Sequence, residues 1–376
     1  MKPLSIFNYY RNNMKRLLAV FLAVSLSVFL LYTVQMLIFS SFRTAYLINV
    51  EPQKHFSSFL YKYKRIDPEL VKSIKNQAQA GQVIPWVMQH TNITYMFGET
   101  GTRILSLNAK DMAAVMSAAG LKLFKGRLPK PGTEEIVLHK IVAKNKGLNI
   151  GDSIGSDLNE KEVLPGSHEI VGIVDGSSVL SFNSLETWVD TYKYDPYLYG
   201  MIVIPKKSGL NELNRYIDCL PYQGLDVRTL NSVTTEQEET DRNIKTILTL
   251  INMIVITIVS LCSGFLCYIY FYQRRAEFGL LNAIGYTRQR IINKAFAEVS
   301  GINMIGFLTG ILLALLCALV LDYFMFAPTG QILVIWDSQY LLRVFCIPLF
   351  ASLFSVIPIW RMLKRLDPIA ILEGEG

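Results

Sequence analysis

The sequence predicts an α-helical membrane protein with four transmembrane helices and a large α+β extracytoplasmic domain inserted between the first and second. Three observations carry this. Half of the 376 residues are apolar and only 18% are charged, a low charge content for a soluble chain of this length. The apolar residues gather into four long helical stretches, each able to cross the ~30 Å hydrocarbon core of a bilayer. The block between the first two, residues 43–243, holds 23 Lys/Arg and 23 Asp/Glu and is neutral. The surplus behind the net charge of +7 sits beside apolar runs, in Lys2, Arg11, Lys15 and Arg16 and in the segment Arg274–Lys294. Basic charge so placed orients a chain in a membrane. No zinc-finger spacing, basic zipper or aromatic RNA-binding motif points to nucleic acid.

Residues 1–16 read as a cytoplasmic tail. Residues 17–42 carry no charge at all, and the run exceeds the 7–15 apolar residues of a signal peptide, so a retained first transmembrane helix is expected. Its polar residue Gln35 is expected to face a neighbouring helix.

The extracytoplasmic domain is expected over 43–235. Strands are read at 56–63, 83–95, 103–108, 135–138, 169–174, 201–205 and 225–230, with another starting at Gly151-Asp-Ser-Ile154. Gly98-Glu-Thr-Gly101 reads as the turn between two of them. Asp67 and Pro68 open a helix over 67–78 as cap and first residue. Further helices are read at 111–119, ended by Gly120, at 139–146, ended by Gly147, and near 210–219. Gly126-Arg-Leu-Pro-Lys-Pro-Gly132 is turn-rich.

A stalk continuous with the second transmembrane helix is expected over 236–272. Thr235 and Glu238 have the spacing of a capping box, and Glu236, Glu238, Glu239 and Asp241 suit the positive end of a helix dipole. A helix from Glu236 to Tyr272 would span roughly 55 Å, so part of it should project from the bilayer. Residues 273–295 form a basic amphipathic segment with five Lys/Arg against the single acid Glu277, expected to be cytoplasmic. Its apolar residues Phe278, Leu281, Ile284 and Ile291 recur near helical spacing. Such a segment either docks into a groove of another protein or serves only as a positive-inside loop.

The third span is expected over 296–326, with Gly306-xxx-Gly310 as a close-packing site, the outer loop over 327–339, and the fourth span over 340–360, kinked by Pro348 and Pro358. Arg361, Lys364 and Arg365 mark the start of a cytoplasmic tail over 361–376. Charge placement thus puts both termini on one side and the large domain on the other.

Catalytic chemistry is hard to find. There is no P-loop, no G-x-G-x-x-G and no G-x-S-x-G. His55, His90, His139 and His168 lack ligand spacing, and Glu134-Glu135 and Glu238-Glu239 read as solvated or capping acids. Four of the five cysteines (Cys262, Cys267, Cys317 and Cys346) lie in apolar runs and Cys219 stands alone. No cofactor is expected. No charge lies deep within a span, which disfavours an ion-coupled carrier.

Arg275-Ala-Glu277-Phe278-Gly279-Leu280-Leu281-Asn-Ala283-Ile284-Gly285 resembles the cytoplasmic loop of FtsX-like, MacB-type ABC transporter permeases. Gly126-Arg127-Leu-Pro with Glu135-Ile-Val-Leu138, Gly147-Leu-Asn-Ile-Gly151-Asp152-Ser-Ile154 and Glu169-Ile-Val-Gly172-Ile-Val174 is similar to the MacB-type extracytoplasmic core. Arg361–Leu372 with Asp367-Pro368-Ile369 is similar to the family's basic tail. The first span departs from the family, since Val20–Gln35 has no glycine.

The resemblance implies a non-catalytic subunit of the bacterial cytoplasmic membrane, working with a separate ABC ATPase and pairing with a second permease chain as homo- or heterodimer. Membrane lipids surround it, and an extracytoplasmic adaptor is compatible with it. It also implies that Phe278 and Leu281 anchor in the ATPase while Arg275 and Glu277 make polar contacts, within a coupling segment that includes Gly279, Leu280, Ala283, Ile284 and Gly285. A stalk entered through Thr235, Glu238 and Asp241 would transmit motion to the outer domain. The implied task is export or extraction of a peptide, lipid-linked or antimicrobial compound. The alternative is a non-transporting regulator of an outside partner such as a cell-wall hydrolase.

Overall fold

A computed structural model describes residues 6–61, 66–95, 98–190, 200–206, 209–220 and 224–365. Lys2, the last two residues of the strand expected at 56–63, and Asp367-Pro368-Ile369 lie outside them. The chain divides into two compact units, one of Phe39–Asn243 with Asp322–Leu333, the other of Met1–Ile38, Ile244–Leu321 and Val334–Gly376.

The chain opens on α1 (Ile6–Asn49). The outer unit then runs β1 (Ser57–Tyr61), α2 (Pro68–Lys75), β2 (Ala80–Pro85), β3 (Val87–Tyr95), β4 (Gly98–Leu107), α3 (Ala109–Ala118), β5 (Lys122–Gly126), β6 (Glu135–His139) and α4 (Lys140–Lys146). It continues with β7 (Ser153–Ile154), β8 (His168–Asp175), β9 (Ser181–Ser184), α5 (Leu185–Asp190), β10 (Met201–Pro205), α6 (Leu210–Asp218) and β11 (Leu225–Arg228). The remaining helices are α7 (Leu230–Gln273), α8 (Arg275–Ala283), α9 (Arg288–Leu321), the short α10 (Ala327–Thr329) after a π-helical turn, and α11 (Ser338–Arg365).

Two sheets build the outer unit. One is antiparallel in the order β11-β1-β10-β2; the other is mixed, β3-β4-β9-β6-β8-β5, with β7 on β8. The β6–β8 pair is parallel and crosses through α4, the β-α-β connection that parallel neighbours require. Successive residues of the mixed sheet point to opposite faces and feed two cores. Ile104, Ile136, Leu138 and Ile170 pack with Val142 and Trp188, whereas Leu105, Leu107, Val137 and Phe182 pack with Met112 and Val115 of α3. A third core joins Phe59 and Tyr61 to Leu70 and Ile74 of α2 and Leu213 and Ile217 of α6.

Helix ends follow local chemistry. Asp67 caps α2 by accepting the Glu69 amide at 2.9 Å. His139 caps α4 by accepting the Ile141 amide through Nδ1 at 3.2 Å, which leaves Nε2 protonated and facing the Gly176 carbonyl at 3.3 Å. Gly147 ends α4 with φ +67°, the left-handed cap that glycine adopts without strain. In the Gly126-Arg127-Leu-Pro passage, Arg127 Nη2 donates to Glu135 Oε1 at 2.6 Å and the Lys130 amide to Oε2 at 2.9 Å. The Arg127 guanidinium thereby holds Glu135 down to about 2. The segment 322–333 belongs to this unit: Asn145 Nδ2 donates to the carbonyls of Thr94 (2.7 Å) and Thr329 (3.0 Å), and Gln331 Nε2 to Thr94 O at 3.1 Å.

In the membrane unit, four helices are long and apolar enough to cross a bilayer, Leu18–Asn49, Leu230–Gln273, Arg288–Thr329 and Ser338–Arg361. Small and polar residues hold them together, since lipid offers apolar side chains no reason to associate. Gly306 and Gly310 of α9 lie against α1; a Cβ at Gly310 would come 2.6 Å from the Ser25 carbonyl oxygen. Gln35 Nε2 donates to Asn252 Oδ1 at 3.2 Å, joining α1 to α7. Asn303 Nδ2 donates to Ser352 Oγ at 2.9 Å, and the Ser263 and Ser355 hydroxyls meet at 3.4 Å. Tyr32 OH donates to Ile335 O at 3.0 Å.

Several expectations need correction. Gly98–Gly101 is strand, paired with Asn92–Tyr95, because β-ladder bonds satisfy these residues where a turn would leave them open. The stretch 83–95 is two strands separated at Trp86. Thr235 and Glu238 do not cap the stalk helix. It begins earlier, at Leu230, where Thr229 Oγ1 accepts the Ser232 amide (3.1 Å) and Ser232 Oγ accepts the Thr229 amide (2.9 Å). That reciprocal pair satisfies two end amides on a buried Thr229, and Thr235 lies inside the helix. α1 continues past Phe42 to Asn49, since Arg43 lies over the Tyr46 ring at 5.6 Å one turn on and does not stop it.

Burial pushes the His139 imidazole down from 6.5 to about 4. The unfolded chain therefore binds this proton more readily, so its contribution is complete above about pH 6.5 and falls as pH drops toward 4. Thermal melts of the full-length protein should show the outer unit losing stability between pH 7 and 5. His139→Asn, which keeps a capping acceptor without a titrating ring, should flatten that slope. Gly310→Leu should lower the folded yield in detergent sharply, read by size-exclusion chromatography, while Gly101→Ala, whose Cβ would meet only the His90 ring at an ordinary 3.6 Å, should not.

Candidate functional site

The basic segment forms a nine-residue helix between two long ones. α7 ends at Gln273, and Arg274, with φ −100° and ψ 9°, breaks the helical path and starts α8. The Phe278 amide donates to Arg274 O at 3.2 Å. At the other end Gly285 takes φ +98°, a left-handed conformation suited to glycine, and the Tyr286 amide closes on Leu281 O at 3.0 Å. The chain then enters α9 at Arg288.

Arg274 fixes this corner. Its side chain is 5% exposed and that of Glu298, on α9, 3%. Arg274 Nη1 donates to Glu298 Oε2 at 2.9 Å and Nε to Glu277 Oε2 at 2.9 Å. Lys294 stands 3.8 Å from the other Glu298 oxygen. The guanidinium lies over the rings of Phe278 (5.1 Å), Tyr270 (5.4 Å) and Phe271 (5.8 Å), and Phe271 and Phe278 stack at 5.8 Å. Cation–π contacts of this kind reach about 2 kcal/mol when desolvated. Val20, Cys267, Ile291, Ala295, Val299, Ile302 and Ile359 complete the cluster.

This places the expected coupling residues in two sets. Phe278 and Gly279 are buried, so Phe278 is not free to anchor a partner; it serves the corner itself because its ring packs on Phe271 beneath Arg274. Leu281 is half-buried in the same cluster. Arg275 donates to Tyr272 OH and covers that ring at 4.8 Å. Leu280 (53% exposed) and Ile284 (66%) present apolar surface, with Ala283 and Gly285 exposed between and beside them and Glu277 a turn away. Positions 277, 280 and 284 share one face by helical spacing. On the stalk, Thr235 and Glu238 are exposed, and Asp241 accepts from Gln237 Nε2 at 2.8 Å.

Arg274 and Glu298 escaped the sequence reading as a pair. The available signal was one acid three positions into an apolar stretch, within reach of a basic turn at the other helix. The outer unit holds a separate open cleft of 370 Å³ edged by Asn92, Glu99, Asn145, Lys146 and Glu162, where Lys146 Nζ and Glu162 Oε2 pair at 2.6 Å. Among the described residues no group of three His, Cys, Asp or Glu side chains converges on a metal-sized site.

Residues 249–366 match the family model described as FtsX-like permease C-terminal. The putative hemin transport system permease protein HrtB of Staphylococcus haemolyticus is 25% identical over 325 residues, 82% of each chain. The protein of the same description from Staphylococcus epidermidis is 23% identical over 321 residues, 83% of each. Among solved structures, the periplasmic region of MacB from Actinobacillus actinomycetemcomitans covers 50% of this chain and 94% of its own, with TM-score 0.33 and 11% identity. The extracellular domain of the ABC-type transporter YknZ from Gram-positive bacteria covers 45% and 98%, with TM-score 0.28 and 13% identity.

Breaking a buried pair by removing one partner typically costs 3–5 kcal/mol, more than removing both. Arg274→Leu and Glu298→Leu should each lower stability by about 3 kcal/mol, and the double variant should recover part of the loss. Thermal melts of the four proteins, read as a double-mutant cycle, check this.

Proposed function

We propose that this chain, an ABC transporter permease of the FtsX/MacB type, receives an ATPase subunit on α8 and passes its closing motion along α7 to the outer unit. The observation that carries the reading is the corner at Arg274. A short helix is pinned at its base by Arg274 and Glu298, and its exposed face offers Leu280 and Ile284. Amphipathic helices dock in this way, apolar anchors entering a groove and charged neighbours setting orientation. Pinning matters because a docking helix free to swivel would dissipate the push it receives.

α7 suits the second half of the task. It is one helix of 44 residues without an internal proline, roughly 66 Å at 1.5 Å per residue. Hydrocarbon accounts for only ~30 Å of that, and its first turns belong to the outer unit. α1, also 44 residues, contributes its residues from Phe39 on to the same outer unit. Two such chains would pair so that two ATPase subunits close together, with the basic turns and both termini on the cytoplasmic side.

For the cargo we propose export of an amphipathic compound. Hemin is the candidate that the relatives' descriptions suggest, ahead of a peptide or lipid-linked antimicrobial. Export is preferred over regulation of an outside enzyme because the outer unit carries its own preformed cleft.

Leu280→Arg and Ile284→Arg should abolish stimulation of the partner ATPase while leaving melting temperature and membrane insertion unchanged; normal stimulation would remove α8 as the docking element. Inserting Gly-Pro after Arg242 should leave ATPase binding intact and stop export, since an interior proline breaks a helix at a cost of ~3 kcal/mol or more. Deleting the protein should raise sensitivity to hemin and leave sensitivity to cationic antimicrobial peptides unchanged. The reverse pattern would reassign the cargo.

A further inference from the structure

Beside the membrane unit's α7–α11 contact runs an open groove of 410 Å³. Its walls are apolar, from Leu261 and Phe265 on α7 to Phe354 and Ile357 on α11, and its basic end is Arg361, which is exposed. Two features give it polar points that the fold leaves unmatched. Ser260 Oγ is 99% buried by the residue's 1% exposure and has no hydrogen-bond partner, although a serine in a helix ordinarily bonds back to the preceding turn. Pro358 lies inside α11 and has no N–H, so the Phe354 carbonyl one turn earlier loses its helical donor. That carbonyl faces Gly264, whose would-be Cβ stands 3.7 Å away. Toward Arg361 the α7 wall ends in Tyr268, whose ring lies 5.9 Å from that of Tyr272 one turn on.

We propose that this groove is a binding site for an anionic phospholipid, its acyl chain lying along Leu261, Phe265 and Ile357 and its phosphate held by Arg361 at the rim. Charge selects this occupant. Among the described residues no acidic side chain lines the groove, so Arg361 is complemented there by an anion. A second copy of the chain is a poorer fit. An isologous interface pairs a patch with itself, and among the described residues this patch carries Arg361 and no acid to meet it. Basic pockets between transmembrane helices, open at the headgroup level, are suited to anionic lipid heads. A lipid seated here would fill the space next to the Ser263–Ser355 contact and hold α7 and α11 at their present separation.

Native mass spectrometry of the full-length protein, titrated with dimyristoyl phosphatidylglycerol, dimyristoyl phosphatidylcholine or soluble glycerol 1-phosphate, tests this. Wild type should retain phosphatidylglycerol about fivefold better than phosphatidylcholine, the effect of one basic residue facing an anionic head, and should not retain glycerol 1-phosphate. Arg361→Gln should bring the two lipids to parity, and Gly264→Leu, which fills the groove, should reduce retention of both. Should Arg361→Gln fail to fold, Gly264→Leu and the wild-type preference still decide. Equal retention of both lipids by wild type, or a preference unmoved by either variant, overturns the proposal. So does efficient disulfide-linked dimerisation of Phe265→Cys, which would assign the groove to a second copy.

Discussion

The corner between α7, α8 and α9 depends on one buried ion pair. Arg274 and Glu298 are both withdrawn from solvent, and the carboxylate and three aromatic rings replace the water that the guanidinium has lost. Desolvating two charges is expensive, and such a pair is often no better for stability than well-packed apolar residues. What it supplies is direction. A guanidinium presents its donors in a rigid fork, so Nη1 on Glu298 and Nε on Glu277 together set where α8 begins relative to α7 and α9. Phe278 then stacks in place, and Leu280 and Ile284 are left facing outward.

The outer unit shows a comparable economy of fixed points. The crossover helix α4 is capped by a buried histidine at one end and a left-handed glycine at the other. Asn145 on the same helix holds both the β3 backbone at Thr94 and the returning segment at Thr329. The segment between α9 and α11 is therefore part of the outer domain's packing, as are the ends of α1 and α7 that flank the inserted block.

Much of this was legible in the sequence, for identifiable reasons. Charge-free runs and basic clusters obey the bilayer's dimensions, so the four spans, Gln35 facing a neighbouring helix and Gly306-xxx-Gly310 as a close-packing site could be read from the sequence, whereas their partners, Asn252 and α1, needed the fold. Strands such as β6, β8 and β10 carry continuous Ile and Val because both faces are buried. β9 was illegible for the opposite reason. Ser181-Phe-Asn-Ser184 looks like a loop, yet Ser181 Oγ accepts the His139 amide and Asn183 Oδ1 accepts from Ser106, so its polar residues are matched in the interior. β5 is exposed along its whole length and offers no alternation to read. A short helix expected in the basic segment is present as α8, but Phe278, expected on its outward face, is buried. Helical spacing cannot tell which apolar residue faces inward until the position of Arg274 is known.

The most direct test of the account is the side from which α8 can be reached. In a protein carrying Ile284→Cys with its five native cysteines replaced by alanine, a membrane-impermeant maleimide should leave intact cells unlabelled. It should react after permeabilisation, and the reaction should be blocked when the partner ATPase is bound. Labelling of intact cells at Ile284→Cys would place α8 on the wrong side of the membrane for any nucleotide-driven subunit and would contradict the account.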